Sequence, residues 1–183
     1  NILDQTIANM YETNVQTNPS YNGRVEFAVK IPNGDTDEIT YLPIDSKFPM
    51  EDYARLTAAS DEGDIEALAN AKKALETRVK DEAKLIKQYV CPPYTTPFAI
   101  MYLATEGLYA EIISSKTGIA ESLQAQGIMI AGPSTVTALL NSLAMGFKTV
   151  AINKKANEVW KVLGAAKTQY EKFGVVLEKK KKK

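Results

Sequence analysis

The alternation of apolar and polar residues is clearest between Arg24 and Pro49, where it predicts a β-hairpin. The first strand has the period of two that is typical of a half-buried strand, with apolar side chains at Val25, Phe27 and Val29. Pro32 to Asp35 has the composition of a turn. The second strand, Ile39 to Phe48, is mostly apolar, which indicates burial on both faces.

The rest of the chain shows mainly helical spacing. An amphipathic stripe predicts a long helix from Ile65 to Val90. Two short apolar runs bounded by turn residues, at 98–103 and 127–131, predict buried strands. Further helices are expected at 1–11, 49–56, 105–113, 118–126, 132–143 and from 145 to the end, with a loop at 14–23.

These elements predict an α/β fold with a mixed central sheet flanked by helices and a helical C-terminal region. Strands near 24–31 and 39–47 form the antiparallel hairpin, and helical crossovers add the two later strands in parallel, right-handed as such crossovers nearly always are. No internal repeat is visible. We therefore expect one domain over 1–183, with a basic helical segment at 150–183.

Two charged residues at the end of the second predicted strand need an explanation. Asp45 and Lys47 are two residues apart in the sequence, so their side chains project from the same face of the strand. Burying either charge is costly without a partner of opposite charge. On the adjacent strand, Glu26 could share a hard divalent cation, Mg²⁺ or Mn²⁺, with Asp45. Lys47 would then polarise a water or neutralise charge on a phosphate. The alternative is an exposed or ion-paired Asp-Lys without chemistry.

Composition removes several other kinds of chemistry. Histidine is absent and Cys91 is the single cysteine, which excludes Ser-His and Cys-His nucleophiles. One cysteine also supplies too few ligands for a structural zinc site. We expect Cys91 to be a buried structural thiol in a reducing compartment, hence a cytoplasmic location. No apolar run approaches the length of a membrane span, so no membrane contact is expected.

The charge is distributed unevenly along the chain. Residues from Val150 onward contain ten Lys and three Glu, a net of +7, while Asn1 to Thr149 contain twelve basic and nineteen acidic residues, a net of −7. The basic segment is either a solvated tail or a helix that faces DNA phosphates. The mixed signs on the helix at 65–90 favour a solvated face.

Several separate stretches of the chain form a recognisable pattern: RVEFA at 24–28, LPIDSKFP at 42–49, EDY at 51–53, PYTTPF at 93–98 and TEGLYAE at 105–111. In this order they resemble the RmuC family of DNA recombination proteins, and the resemblance runs from about Tyr11 to Glu178. The order acid, hairpin, acid-x-Lys is also similar to the PD-(D/E)xK nuclease motif, with Glu26 as the first acid and Asp45-Ser46-Lys47 as the second half.

The resemblance implies a restriction-endonuclease-like core, DNA as the partner, and a nuclease role that limits DNA rearrangement, with a coiled coil upstream. The family pattern also has an acidic Gly-Trp-Gly-Glu-like run upstream of the first residue here. Because the sequence starts at Asn1 without Met, we expect an N-terminally trimmed fragment. Asp4 and Glu12 are the weak substitutes for that acid.

Two functions follow. The first is a metal-dependent DNA nuclease with Glu26, Asp45 and Lys47 as catalytic residues and with Glu26 and Asp45 as ligands of Mg²⁺ or Mn²⁺. The second is a non-catalytic DNA-binding or scaffolding domain that retains the nuclease fold. Glu106, in the first turn of a predicted helix, either complements the helix dipole or acts as an auxiliary acid near the strand ends.

Overall fold

A computed structural model describes residues 2–7, 9–32 and 38–181. Its sheet has five strands in the order β1-β2-β3-β4-β5. The strands are β1 Tyr11–Val15, β2 Val25–Pro32, β3 Ile39–Lys47, β4 Ala99–Leu103 and β5 Ile128–Ala131. The helices are α1 Ile2–Ile7, α2 Met50–Glu62, α3 Ile65–Lys87, α4 Glu106–Ile113, α5 Ile119–Ala125 and α6 Pro133–Lys181.

The mixed sheet that the sequence predicts is confirmed. β2 and β3 pair antiparallel, from Phe27 opposite Ile44 to Pro32 opposite Ile39, and the predicted tip at 33–37 lies outside the described residues. β4 joins β3 in parallel, and β5 joins β4 in parallel. β3 is therefore the central strand, with an antiparallel neighbour on one side and a parallel neighbour on the other.

The prediction of a loop at 14–23 preceded by a helix through Tyr11 is wrong in part. The helix ends at Ile7, and Tyr11–Val15 forms strand β1, antiparallel to β2. The exposure of β1 explains the error, because its middle three residues are all exposed and show no alternation of apolar and polar side chains. β1 is an edge strand that is held by main-chain pairing, which the side-chain pattern does not reveal.

Local sequence sets the helix boundaries. The side chain of Asp64 accepts a hydrogen bond from the Ala67 N–H, and Thr105 accepts one from the Leu108 N–H, so α3 and α4 each begin at a side-chain cap. The turn between α5 and β5 requires glycine at position 127. Gly127 has a φ of 83°, and a Cβ there would lie 2.9 Å from the Pro97 carbonyl oxygen.

Helices cover both faces of the sheet. One face contacts α2, α3, α4 and α5 through a continuous core. That core includes Leu75, Val79 and Ile86 of α3, Met101 and Leu103 of β4, and Leu108 and Ile112 of α4. The other face borders a groove of about 300 Å³ that is lined by Leu3 of α1, by Phe27, Ile44 and Tyr102 of the sheet, and by Val136 and Leu140 of α6.

The chain divides into two compact units, 1–143 and 144–183, and helix α6 runs through the boundary between them. Among the described residues, one stretch, Pro133–Ala165, is long and apolar enough to cross a membrane. Only 17% of its apolar window is buried, so the expectation that no apolar run approaches the length of a membrane span does not hold for this stretch. A single helix of this kind is weak evidence for a membrane span.

Strand β3 offers a direct test of the fold. Ile44 is 4% exposed and Ile39, on the same strand, is 47% exposed. We expect Ile44→Ala to lower the free energy of unfolding by about 2–5 kcal/mol, because it removes buried surface and leaves a cavity. Ile39→Ala should change it by only about 0.5 kcal/mol. Urea unfolding of both variants measures the difference, and equal effects would show that β3 is not central.

Candidate active site

Strand β3 presents Asp45 and Lys47 on one face of the sheet. Asp45 is in register with Met101 and Lys47 with Leu103, and both of these β4 residues belong to the core beneath α3. Asp45 is 5% exposed, although it is a carboxylate. The Lys47 ammonium lies 2.9 Å from Asp45 Oδ2, so the structure brings these two predicted site residues together as an ion pair.

The pair belongs to a longer chain of charges. Lys47 Nζ also lies 3.5 Å from Glu82 Oε2 on α3, and Arg78 of the same helix approaches Glu82 at 3.9 Å. Arg78 in turn approaches Asp52 of α2 at 3.7 Å. Alternating signs therefore connect the end of β3 to two helices, and the position of Lys47 is fixed from both sides.

The surroundings of Lys47 keep it charged. Burial by itself lowers the pKa of this lysine, but interaction with Asp45 and then with Glu82 outweighs burial, so its pKa is raised. Lys47 is thus an ammonium at neutral pH. It can donate hydrogen bonds and neutralise negative charge, but it cannot take a proton from water.

Asp45 keeps unused acceptor capacity. Its Oδ2 atom is buried and has the ion pair with Lys47 but no partner in hydrogen-bond geometry within the described chain. The close contact with Nζ is a charged contact that occupies only part of the acceptor capacity of the carboxylate. A buried carboxylate oxygen with free lone pairs is costly, and it is the kind of atom that a hard cation takes as a ligand.

Glu26 lies where β2 and β3 separate. The regular pairing of the two strands ends at Phe27 and Ile44, and the Glu26 carboxylate accepts a hydrogen bond of 3.2 Å from the Ser46 N–H. It borders the groove on the face opposite α3, and in the described chain Lys47 forms no ion pair with it. The structure thus brings Glu26 beside the backbone next to Asp45 but not into contact with Lys47.

The donor atoms of these residues suit a hard cation. Mg²⁺ commonly takes one or two protein carboxylates and completes its shell with waters and substrate phosphate oxygens. Asp45 Oδ2 and the Glu26 carboxylate are oxygen donors of that kind. Asp45, however, is buried beneath α3, and Glu26 borders the groove on the opposite face, so the structure does not bring the two carboxylates to one cation position as the sequence predicts. Within the residues that the structure describes, no cluster of three or more His, Cys, Asp or Glu side chains is present, so the protein alone does not enclose a cation.

Glu82 is the site residue that sequence reasoning missed, since the mixed charges of its helix indicated a solvated surface. Its side chain is 23% exposed and contacts Lys47. A signal was present in the sequence. Glu82 follows Val79 by three residues and precedes Ile86 by four, so it occupies a position on the apolar stripe of α3. An acidic residue on a buried stripe indicates a charged partner opposite it.

Other candidate acids have different partners. Asp4 accepts a hydrogen bond from the Tyr11 hydroxyl, while Glu12 contacts Lys30 at 3.5 Å and the Tyr41 hydroxyl at 3.1 Å. The two therefore hold α1 and the antiparallel strands together. The thiol of Cys91 is half-buried and not fully buried as expected.

Glu106 ties together the ends of the two last strands. It starts α4, directly after β4, and its carboxylate accepts a hydrogen bond from the Ser134 N–H in the first turn of α6, directly after β5. The contact lowers the pKa of Glu106, first through the Ser134 side chain and then through its backbone N–H. Its observed contact caps the first turn of α6, a role that neither of the two sequence-based interpretations included.

These features define a class: an α/β protein whose central strand carries a buried carboxylate and a charged lysine beside a second carboxylate. The sequence model of the RmuC family matches residues 2–183, and the chain belongs to that family. Two relatives, each named DNA recombination protein RmuC homolog, come from Xylella fastidiosa strains Temecula1 and 9a5c. Each is 47% identical over 186 residues, which cover 100% of this chain.

The chain spans 41% of the length of these curated relatives. No solved structure matches it significantly. The comparisons therefore show family membership, the structure shows the mixed α/β sheet, and the restriction-endonuclease-like assignment of the fold stays a prediction.

The Glu106 contact predicts a pH dependence of stability. Because the pKa of Glu106 is lower in the folded chain, its contribution is present above the ordinary value of 4.5 and is lost as the pH falls through the folded pKa. Glu106→Gln keeps an acceptor but removes the charge. We expect its urea midpoint to lie below that of the wild type at pH 7 and the gap to close in acid.

A matched control is Glu66→Gln, which removes a carboxylate from the first turn of α3. It tests whether any charge in a first helical turn gives the same result. If Glu106→Gln shifts the midpoint no more than Glu66→Gln at pH 7, or if the gap persists in acid, the capping role of Glu106 is contradicted.

Proposed function

We propose that this chain carries the site of a metal-dependent DNA nuclease, as the resemblance of Glu26, Asp45 and Lys47 to the PD-(D/E)xK pattern suggests. The observation that best supports the proposal is the buried Asp45 Oδ2, which has an ion pair but no hydrogen bond. The relatives are named DNA recombination proteins, which makes DNA the expected substrate. The reaction is hydrolysis, in which water attacks the phosphorus and a P–O bond of the backbone breaks.

The charge state of Lys47 determines its part in the reaction. As an ammonium held by Asp45 and Glu82, it faces the site as a fixed positive charge. Such a preorganised charge stabilises the negative charge that develops on the phosphate in the transition state. Of the two roles expected for Lys47, neutralising the charge on a phosphate is favoured over polarising a water. A group other than Lys47 would have to take the proton from the attacking water.

Asp45 and Glu26 would hold the cation. A bound Mg²⁺ or Mn²⁺ would polarise the phosphate and lower the pKa of a bound water. The Ser46 N–H orients the Glu26 carboxylate, and burial beneath α3 orients that of Asp45. Oriented carboxylates lose less conformational entropy when they bind a ligand, which favours these two residues as the holders of the cation.

Charge removal at the site tests this function. Asp45→Asn keeps the size of the side chain but removes a ligand charge, so both Mn²⁺ binding and Mg²⁺-dependent cleavage should fall. Lys47→Ala should reduce the cleavage rate by roughly 10²–10³ while Mn²⁺ still binds. Cleavage of single- and double-stranded DNA with metal or with chelator gives the rate, and electron paramagnetic resonance of Mn²⁺ gives binding.

Lys30→Ala is the matched control, because Lys30 is a similarly exposed lysine on β2 that pairs with Glu12. It should leave cleavage unchanged. A wild-type chain that binds DNA but cuts none with either metal would favour the non-catalytic DNA-binding domain instead. Equal losses in Lys30→Ala and Lys47→Ala would also count against a specific role for Lys47.

Either function requires a surface that holds the DNA backbone, and α3 offers one. A groove of about 740 Å³ lies between α3 and the loop after α4. Lys73 and Lys80 of α3 and Lys116 of the loop line it, and none of the three has an ion-pair partner among the described residues. Two acids also line the groove, and both have partners: Glu111 pairs with Lys72, and Glu76 accepts hydrogen bonds from the Ser115 and Thr117 hydroxyls.

Removing these lysines should weaken DNA binding without changing the chemistry. We expect Lys73→Ala/Lys80→Ala to lower affinity for any DNA sequence and to reduce the salt dependence of binding by about one unit of slope per lysine. Lys84→Ala is the control, since Lys84 is already paired with Asp81. Fluorescence anisotropy at several salt concentrations measures both quantities, and an unchanged slope would exclude this groove as the DNA surface.

A further inference from the structure

The second unit of the chain has a heptad spacing of apolar residues that belongs neither to the proposed nuclease site nor to the proposed DNA groove. Within α6, apolar or small residues recur at alternating spacings of four and three, at Met145, Thr149, Ile152, Ala156, Val159 and Leu163. The sequence continues the same spacing through Ala166, Tyr170, Phe173 and Leu177. A period of 3.5 residues sustained over more than four heptads is typical of the seam of a left-handed coiled coil.

Four large residues in the described part of this seam, between 145 and 163, are exposed. Met145 is 71% exposed, Ile152 66%, Val159 57% and Leu163 52%. An isolated exposed apolar residue is ordinary, but a continuous row along one helix marks an interaction surface. The regular heptad spacing also determines the kind of partner, because knobs-into-holes packing requires a second helix with the same repeat.

A second copy of this chain meets that requirement, since it supplies the same repeat by symmetry. With two such helices parallel and in register, each residue that flanks the seam on one side faces the residue five positions later on the other helix. Lys148 then faces position 153 and Lys155 faces position 160, and the sequence has a lysine at neither of these two facing positions. Glu158 and Lys161 lie away from the seam.

We propose that residues 145–177 of α6 form a parallel two-stranded coiled coil with a second copy of this chain. The proposal is independent of the nuclease assignment, because none of its residues belongs to the site on β3. The proposed dimer would bring two copies of the basic segment side by side.

The mass in solution tests the proposal. The 183-residue chain has a mass of 20.1 kDa, and sedimentation equilibrium at tens of micromolar should give twice that value. Val159→Glu places a charge in the seam and should restore the monomer mass. Asn157→Glu, at an exposed position off the seam, adds the same charge and should remain a dimer. Circular dichroism checks that both variants fold.

Cysteine crosslinking gives a second measurement that does not depend on a disruptive variant. In a Cys91→Ser background, Val159→Cys should form an intermolecular disulfide on mild oxidation, since identical seam positions face each other in a parallel pair, and Asn157→Cys should not. A wild-type chain that sediments as a monomer would overturn the proposal. So would equal crosslinking at positions 157 and 159.

Discussion

The burial of Asp45 is the constraint on which the rest of the structure depends. A carboxylate on the central strand, 5% exposed, is costly to bury unless positive charge lies beside it. Lys47 supplies that charge at 2.9 Å and is itself held by Glu82 from α3. Removing either partner would leave an uncompensated charge under the helix. The packing of α3 on the sheet therefore depends on the same charged residues that form the site.

The same requirement explains the position of the site within the sheet. β3 pairs antiparallel with β2 and parallel with β4, and β2 separates from β3 just before Glu26. The free Ser46 N–H at this point is satisfied by the Glu26 carboxylate instead of a main-chain oxygen. A side chain thus replaces a ladder hydrogen bond, and the Glu26 carboxylate is held at the backbone of Ser46 without being fully buried.

Sequence reasoning predicted the elements that bury a periodic apolar face and failed where periodicity was absent. The hairpin, the two parallel strands and the cap at Asp64 could all be predicted, because side-chain spacing or a specific cap residue determines them. Strand β1 could not, since its exposed residues leave only main-chain pairing to define it. The Asp45–Lys47 contact followed from their spacing on a strand, whereas the Glu82 contact depends on how α3 packs against the sheet.

Under the proposed function, the two anionic partners of Lys47 are not equivalent. Asp45 is buried and lies 2.9 Å away, while Glu82 is more exposed and lies 3.5 Å away. An incoming phosphate would therefore displace Lys47 more readily from Glu82 than from Asp45. Arg78, which already approaches Glu82 at 3.9 Å, would remain to balance the released carboxylate. The chain of alternating charges thus lets Lys47 exchange a protein partner for a phosphate without leaving a carboxylate unpaired, so one ammonium can serve both the fold and the chemistry.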